Sequence, residues 1–125
     1  MAFEFSFDPD NNLVYIKASI SIDFVSITEA MKALLSDQRL GKQMGILVDI
    51  RDVNYVISEP EILTLLSSPI WRAMIDGHKV ATVAGKPAQF GMASVLARRT
   101  ADPAGIETFY SVESALSWLA AEGQR

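Results

Sequence analysis

The stretch Ile46–Leu66, ILVDIRDVNYVISEPEILTLL, decides how the rest of the chain folds. It begins with the apolar run Ile46–Val48 followed by Ile50, which is typical of a strand covered on both faces of a sheet. A polar break follows, and Ser58–Glu61 then opens an apolar pattern at helical spacing. The stretch therefore predicts a strand, a loop and a helix, and the remainder of the chain repeats this unit.

The N-terminal residues predict an antiparallel hairpin. Phe3, Phe5 and Phe7 alternate with polar residues, which is the period of a strand with one buried face. The turn-forming run Asp8–Asn12 follows, and a second alternating segment covers residues 13–20, with Ile20 as the last member of its apolar face. Two such segments joined by a short turn are expected to pair as neighbouring strands.

Helical regions follow from apolar residues at three- and four-residue spacing. The first begins near Asp23 or Ser26, because either side chain can cap it and Ser26 also opens a capping-box pattern. The second spans about Glu59 to Leu66 and restarts at Pro69 with Ser68 as its cap, since proline suits a first turn but not a helix interior. Two more helices are predicted at about 88–100 and 111–121, with strands at 80–84 and 106–110. The turn-forming run 102–105 is expected to stop the helix that precedes it.

This order of elements predicts a single α/β domain over residues 1–125. Strands that alternate with helices form a parallel sheet through right-handed crossovers. The sheet is therefore predicted to be five-stranded and mostly parallel, with an antiparallel N-terminal edge strand.

Composition excludes several classes of function. The chain has 125 residues, a net charge of −4 and no cysteine, so neither a basic nucleic-acid footprint nor a disulfide or thiolate site is expected. The N-terminus lacks a basic region and a long apolar run, so no signal peptide is predicted, and no stretch approaches the ~20 apolar residues of a membrane span. A cytoplasmic protein without a cofactor is the expectation.

Three motifs resemble the SpoIIAA-like, or STAS-like, superfamily, and in particular an uncharacterised branch related to bacterial anti-sigma-factor antagonists. Asp49–Val53 resembles the family's strand end, with its Asp-Leu-x-x-Val pattern. Lys79–Ala84 followed by Phe90–Ala93 resembles that branch's Val-Ala-Val-Val strand and Phe-Gly-x-Ala helix start. Phe109 with Ser111–Leu119 resembles its closing aromatic strand and Ala-Leu-x-Trp-Leu helix.

The resemblance implies a β-α superhelix, which would place all helices on one face of the sheet. It also implies a non-catalytic, regulatory role through protein–protein contact. In the family's antagonists, a serine inside Asp-Ser-Ser-Gly at the helix start is phosphorylated. Ser58 occupies that position, but its neighbours are Ile57, Glu59 and Pro60. The alternative for Ser58 is structural, because Ser-x-x-Glu is a capping box.

Three polar residues are candidates for a binding surface at the carboxyl edge of the sheet, where open α/β sheets hold ligands. Asp49 ends an apolar strand and Asp52 follows it; the alternative for Asp49 is hydrogen bonding to loop amides. Lys86 precedes a helix start, where an anion or a simple turn would suit it. His78 is expected in an exposed loop.

Trp71, Met74, Phe90 and Met92 form an apolar group with three interpretations. They belong to the core, they line a cavity for a lipid-like ligand, or they form a contact patch for a second subunit. The predicted contact surface combines the loop 54–58, which contains Tyr55, with residues 59–75 and 85–92.

A regulatory module that contacts a protein partner or a second copy is the leading hypothesis. A small apolar-ligand carrier is the alternative. An enzyme is third, since the sequence shows no nucleophile–base pair and no metal-ligand set.

Overall fold

The computed structural model describes residues 2–100 and 105–122, in which five strands form one sheet with α-helices on both faces. The strands are β1 Phe3–Asp8, β2 Leu13–Ala18, β3 Gly45–Asp49, β4 Val80–Val83 and β5 Ile106–Phe109. The helices are α1 Phe24–Leu35, α2 Glu59–Leu66, α3 Pro69–Gly77, α4 Pro87–Arg99 and α5 Val112–Glu122.

The sheet has the predicted topology. Its strands lie in the order β1-β2-β3-β4-β5. β1 pairs antiparallel with β2, with Phe3 opposite Ala18, and all later pairs are parallel. Each strand after β2 is added to the same edge of the growing sheet, so the carboxyl ends of β2 to β5 lie along one edge. The single α/β domain with an antiparallel edge strand is confirmed.

The hairpin and three helix starts follow from local sequence. Asn12 turns the hairpin with a φ of 52°, a left-handed conformation that asparagine tolerates. Asp23 caps α1, because its carboxylate accepts a 2.8 Å hydrogen bond from the amide of Ser26. Ser26 therefore lies in the first turn, and the capping box expected there does not form. The caps predicted at Ser58 and Ser68 are both present.

The second strand is shorter than the sequence predicts. The second strand ends at Ala18, and Ile20 is 57% exposed rather than part of the buried face. The amide of Ser19 still bonds to the carbonyl of Ala2 at 2.8 Å, and Ile20 lies beyond these paired residues. Of the helix stop predicted at 102–105, only Gly105 lies within the described residues.

The core consists of two apolar layers, one on each face of the sheet. The larger layer joins Val14, Ile46, Val80 and Ile106 of the sheet to buried residues of α1 to α4. The smaller layer joins Leu47, Ala81 and Val83 to Ala115 of α5. The expectation that all helices share one face is therefore wrong for α5. This helix follows the last strand and needs no crossover, so it is free to cover the opposite face.

Over residues 2–100 and 105–122, no helix combines the length and the apolar character that crossing a bilayer requires.

Candidate functional site: an apolar cavity between the sheet and helices α1 to α4

Gln89 joins the two loops that leave the carboxyl ends of β3 and β4. It is only 2% exposed. Its Nε2 donates a 2.5 Å hydrogen bond to the carbonyl of Val53, and its Oε1 accepts a 3.1 Å bond from the amide of Gly85. Sequence analysis missed this residue, because a glutamine in the first turn of a helix gives no signal of burial.

Gly85 allows these loops to approach each other. A Cβ at this position would lie 2.8 Å from the carbonyl oxygen of Arg51, a backbone atom that cannot turn away. A residue without a side chain is therefore required at this contact. The loop after β3 is thus held against the start of α4 by both Gln89 and Gly85.

Lys86 also joins the loop after β3 to the start of α4. Its Nζ donates to Oδ1 of Asn54 at 3.2 Å and to the carbonyl of Val53 at 3.4 Å. Both acceptors belong to the loop after β3. Lys86 therefore joins two loops in the structure. This role agrees better with the simple turn than with the anion site, the two alternatives that the sequence left open.

Asp49 is fully buried at the end of β3, and four donors satisfy its carboxylate. Arg51 supplies its backbone amide at 3.1 Å, its Nε at 2.9 Å and its Nη2 at 2.8 Å. The hydroxyl of Tyr15 donates at 2.5 Å. Burial raises the pKa of the Asp49 carboxyl, but the bonds from Arg51 and Tyr15 outweigh burial and hold that pKa well below its usual range.

The predicted alternative for Asp49, bonding to a loop amide, is confirmed by the Arg51 contact. Sequence analysis did not find Tyr15 or the Arg51 side chain as partners. Asp52 has a side chain that is 60% exposed, and it pairs with Nζ of Lys17 at 2.9 Å. The same Nζ lies 3.7 Å from Oδ2 of Asp49, so Lys17 links the two carboxylates.

Tyr55 connects the loop after β3 to the start of α2. Its hydroxyl donates a short hydrogen bond to Oε1 of Glu61, and burial together with this bond raises the pKa of Tyr55 above its usual range. Glu61 also accepts from the amide of Ser58 at 2.9 Å, while the Ser58 hydroxyl accepts from the amide of Glu61 at 3.3 Å. The capping box is therefore complete and is reinforced by Tyr55.

A cavity of about 150 Å³ lies between the sheet and helices α1 to α4. Its floor is the larger apolar face of the sheet, and the helices close it from above. Most of its lining is aliphatic or aromatic, including Ile16, Ile27, Ala30, Met31, Leu34, Val48, Leu65, Trp71, Met74, Ala93, Leu96 and Ile106.

Part of the cavity lining lies at the carboxyl edge of the sheet. Ile22, Tyr55, Val56 and Ile57 contribute to the lining there, and Val56 is 38% exposed. These residues belong to the segments that follow β2 and β3. This part of the lining therefore lies at the edge where open α/β sheets hold ligands.

Polar groups are few in the lining. Gln89 and Tyr55 have the partners described above, and Thr82 adds a hydroxyl. Trp71 is 6% exposed, and its Nε1 has no hydrogen-bond partner among the described residues. The cavity wall is therefore mainly apolar.

The structure separates the four apolar candidates into two pairs. Trp71 and Met74 are buried and line the cavity, so they cannot form an exposed contact patch for a second subunit. Phe90 and Met92 lie outside the lining, and Phe90 stacks on Tyr110 with the ring centroids 4.3 Å apart. The reason is helical phase: Gln89 and Ala93 of α4 face the cavity, which turns Phe90 and Met92 aside.

His78 is half-buried, contrary to the expected exposed loop position. Its Nδ1 lies 2.7 Å from the carbonyl of Met44, a hydrogen bond that holds the end of α3 near the start of β3. Over residues 2–100 and 105–122, no three His, Asp or Glu side chains are grouped so as to hold a metal ion.

Comparisons with known proteins add no further identification. No protein-family model matches the chain, and no curated protein matches its sequence.

Proposed function

We propose that this protein is a non-catalytic binding module that takes a small apolar molecule into the cavity beneath α1 to α4. The observation that carries this proposal is an aliphatic and aromatic cavity of about 150 Å³ whose lining includes Val56, a residue that is 38% exposed. A cavity of this size and lining accommodates a benzene-sized molecule. Burial of apolar ligand surface supplies the binding free energy.

The positions of the apolar residues favour a carrier over a protein-contact module. Trp71 and Met74 face the cavity and are inaccessible to a partner protein. Hydrogen bonds of Gln89 with Val53 and of Ser58 with Glu61 hold the loop after β3, which contributes to the cavity lining. A pre-formed site of this kind binds with little ordering cost.

Titration with benzene, followed by ¹H–¹⁵N NMR, tests the proposal. We expect saturable shifts at residues around the cavity. Ala30→Leu adds three carbon atoms to the cavity wall and should weaken benzene binding at least tenfold. Ala33→Leu places the same atoms on the exposed side of α1, away from the lining, and should leave binding unchanged.

Two results would contradict the proposal. One is the absence of saturable shifts in the unmodified protein. The other is equal benzene affinity of the Ala30→Leu and Ala33→Leu proteins, which would place binding elsewhere. Native mass spectrometry of gently purified protein, before and after denaturation, would also detect a small molecule that purifies with the chain.

A regulatory module that contacts a protein is the second candidate function. The supporting observation is that Val56 and Leu63, on the loop after β3 and on α2, are 38% and 54% exposed. Both lie within the surface that the sequence predicts for contact, which also contains Ser58. Size-exclusion chromatography of the wild-type and Leu63→Lys proteins tests for a second copy as the partner; equal elution as monomers would count against it.

Assignment to the STAS-like superfamily and a cytoplasmic location are also proposals. The order of the three motifs supports the first, since each falls on the strand or helix expected of it. The absence of cysteine supports the second.

A further inference from the structure

Strand β1 has a free edge. It stands at the end of the strand order, so β2 is the only described strand that pairs with it. The amide of Ser19 donates to the carbonyl of Ala2, and these residues lie opposite each other when the β1–β2 register is continued by one pair. Hydrogen-bonded pairs alternate along antiparallel strands, so the backbone groups of Phe3, Phe5 and Phe7 point away from β2. Among the described residues, no other backbone segment bonds to them.

β1 lacks features that commonly protect an edge strand from pairing with another chain. Such features include lysine or proline residues, a bulge and a very short strand. β1 covers six residues, contains neither lysine nor proline, and pairs with β2 without interruption from Phe3 to Asp8. The strand at the opposite edge, β5, has only four residues. β1 is therefore the edge better suited to accept a further strand.

The side chains of β1 favour a second β1 as the added strand. Its three phenylalanines lie on one face of the sheet, where Phe3 is buried but Phe5 and Phe7 are only partly buried. A strand with the same alternation would extend this aromatic row and cover Phe5 and Phe7 further. Two copies related by a two-fold axis also present the same surface to each other, as a closed dimer requires.

Charge selects one register for this pairing. Only residues with outward backbone groups can exchange hydrogen bonds, so phenylalanine must lie opposite phenylalanine. With Phe5 opposite the partner's Phe5, all three phenylalanines are paired and Glu4 lies opposite the partner's Ser6. The smallest displacement that keeps phenylalanines opposite each other puts Glu4 opposite either the partner's Glu4 or the partner's Asp8. Like charges directly opposite destabilise a pair of strands.

We propose that two copies of this chain associate through β1, antiparallel and with Phe5 opposite the partner's Phe5, so that their sheets form one continuous sheet. The inference goes beyond the proposed function, because it concerns the edge strand and not the occupant of the cavity. Each phenylalanine pair exchanges two backbone hydrogen bonds across the interface. The pairs of Glu4 with the partner's Ser6 lie between them, where opposite side chains are closest. A charge at position 6 therefore reports on the register.

Substitutions at Ser6, which is exposed, test both the interface and its register. Ser6→Glu places a carboxylate opposite the partner's Glu4 twice in each dimer, and we expect it to raise the dimer dissociation constant roughly two- to thirtyfold. Ser6→Lys places an ammonium group there and should lower that constant by a similar factor. Ser117→Glu adds the same charge at an exposed position of α5 and should leave the constant within about twofold of wild type. Sedimentation velocity over a concentration series measures all four proteins.

Two further measurements separate a direct contact from an effect on the monomer. The double variant Glu4→Lys, Ser6→Glu again places opposite charges across the interface, so it should dimerise more tightly than Ser6→Glu alone. High salt should reduce the difference between Ser6→Glu and Ser6→Lys. In the wild-type protein, the amide of Phe5 should exchange with solvent more slowly as the protein concentration rises. The amide of Glu4, which faces β2, should not respond.

Two results would overturn the proposal. One is a wild-type protein that stays monomeric up to about 1 mM, where even weak association is populated. The other is a dimer that Ser6→Glu and Ser6→Lys leave unchanged and that gives no added protection at the Phe5 amide, which would place the interface elsewhere. The exchange measurement needs no substitution and decides the question even if a variant folds poorly.

Discussion

Gln89 on α4 donates a 2.5 Å hydrogen bond to the carbonyl of Val53 in the loop after β3. The two residues are 36 positions apart in the chain, and both are almost completely buried. Both also line the cavity. This bond therefore couples the stability of the fold to the shape of the candidate site.

Gln89→Leu should lower the free energy of unfolding by about 1–3 kcal/mol, because the buried carbonyl of Val53 and the amide of Gly85 each lose their glutamine partner. Urea denaturation measures the change. Gln38→Leu, at an exposed position after α1, is the control and should stay within about 0.5 kcal/mol of wild type. Equal stabilities of the two variants would show that the Gln89 bonds contribute nothing net.

Gly85→Ala should also destabilise the protein, by about 1–3 kcal/mol, because its Cβ would lie 2.8 Å from the backbone oxygen of Arg51. Gly91 offers a matched comparison within α4, since a Cβ there meets nothing within 4 Å. Gly91→Ala should raise the free energy of unfolding by about 0.5–1 kcal/mol through helix propensity. Thermal and urea unfolding of both variants measure the effects, and effects of the same sign would contradict the close-approach argument.

Asp49 should make the protein sensitive to acid. Its pKa is lowered in the folded state relative to the ~3.9 of an unfolded chain, so the stabilisation is fully present above about pH 5 and is lost as the pH falls further. Asp49→Asn should therefore be less stable than wild type at pH 7, by about 1–3 kcal/mol.

The difference in unfolding free energy between wild type and Asp49→Asn should narrow as the pH is lowered from 5 to about 2, because protonated Asp49 resembles asparagine. Urea denaturation at a series of pH values measures it. Other carboxylates, such as Asp37 with a pKa lowered to about 2 by Arg39, contribute equally to both proteins and cancel in the difference. Parallel stability curves would mean that the Asp49 network carries no pH dependence.

Ser58→Ala should cost about 1 kcal/mol of unfolding free energy, because it removes the hydroxyl that caps α2. Ser117→Ala, at an exposed position of α5, removes a hydroxyl without a capping role and should have an effect within about 0.5 kcal/mol. Circular dichroism during thermal unfolding compares the two. If Ser58→Ala proves neutral, Glu61 and Tyr55 alone are sufficient to start the helix.

Sequence analysis predicted well wherever the relevant interactions are local. The alternation of Phe3, Phe5 and Phe7 identified the edge strand, and the caps at Ser58 and Ser68 depend on residues within three positions of them. At Asp23 and Ser26 two caps were equally consistent with the pattern. In the structure Asp23 caps α1, so the helix is the longer of the two alternatives that the sequence allowed.

The candidate site was only partly predictable. Trp71 and Met74 were identified as an apolar pair, but their spacing fits a core, a cavity and a contact patch alike. Gln89 and Tyr15 carried no signal, since a polar residue in a sequence does not reveal a buried partner more than thirty positions away.

The sequence by itself determined the strands and helices, their order along the chain and the caps of α2 and α3, because hydrophobic period and capping depend on residues that are neighbours along the chain. Only the tertiary structure decided that α5 covers the second face, that Asp49 meets Tyr15, and that Trp71 lines a cavity. These contacts depend on strand order, register and the packing of helices on the sheet. They join residues that are distant in sequence and carry no mutual signature in a single chain.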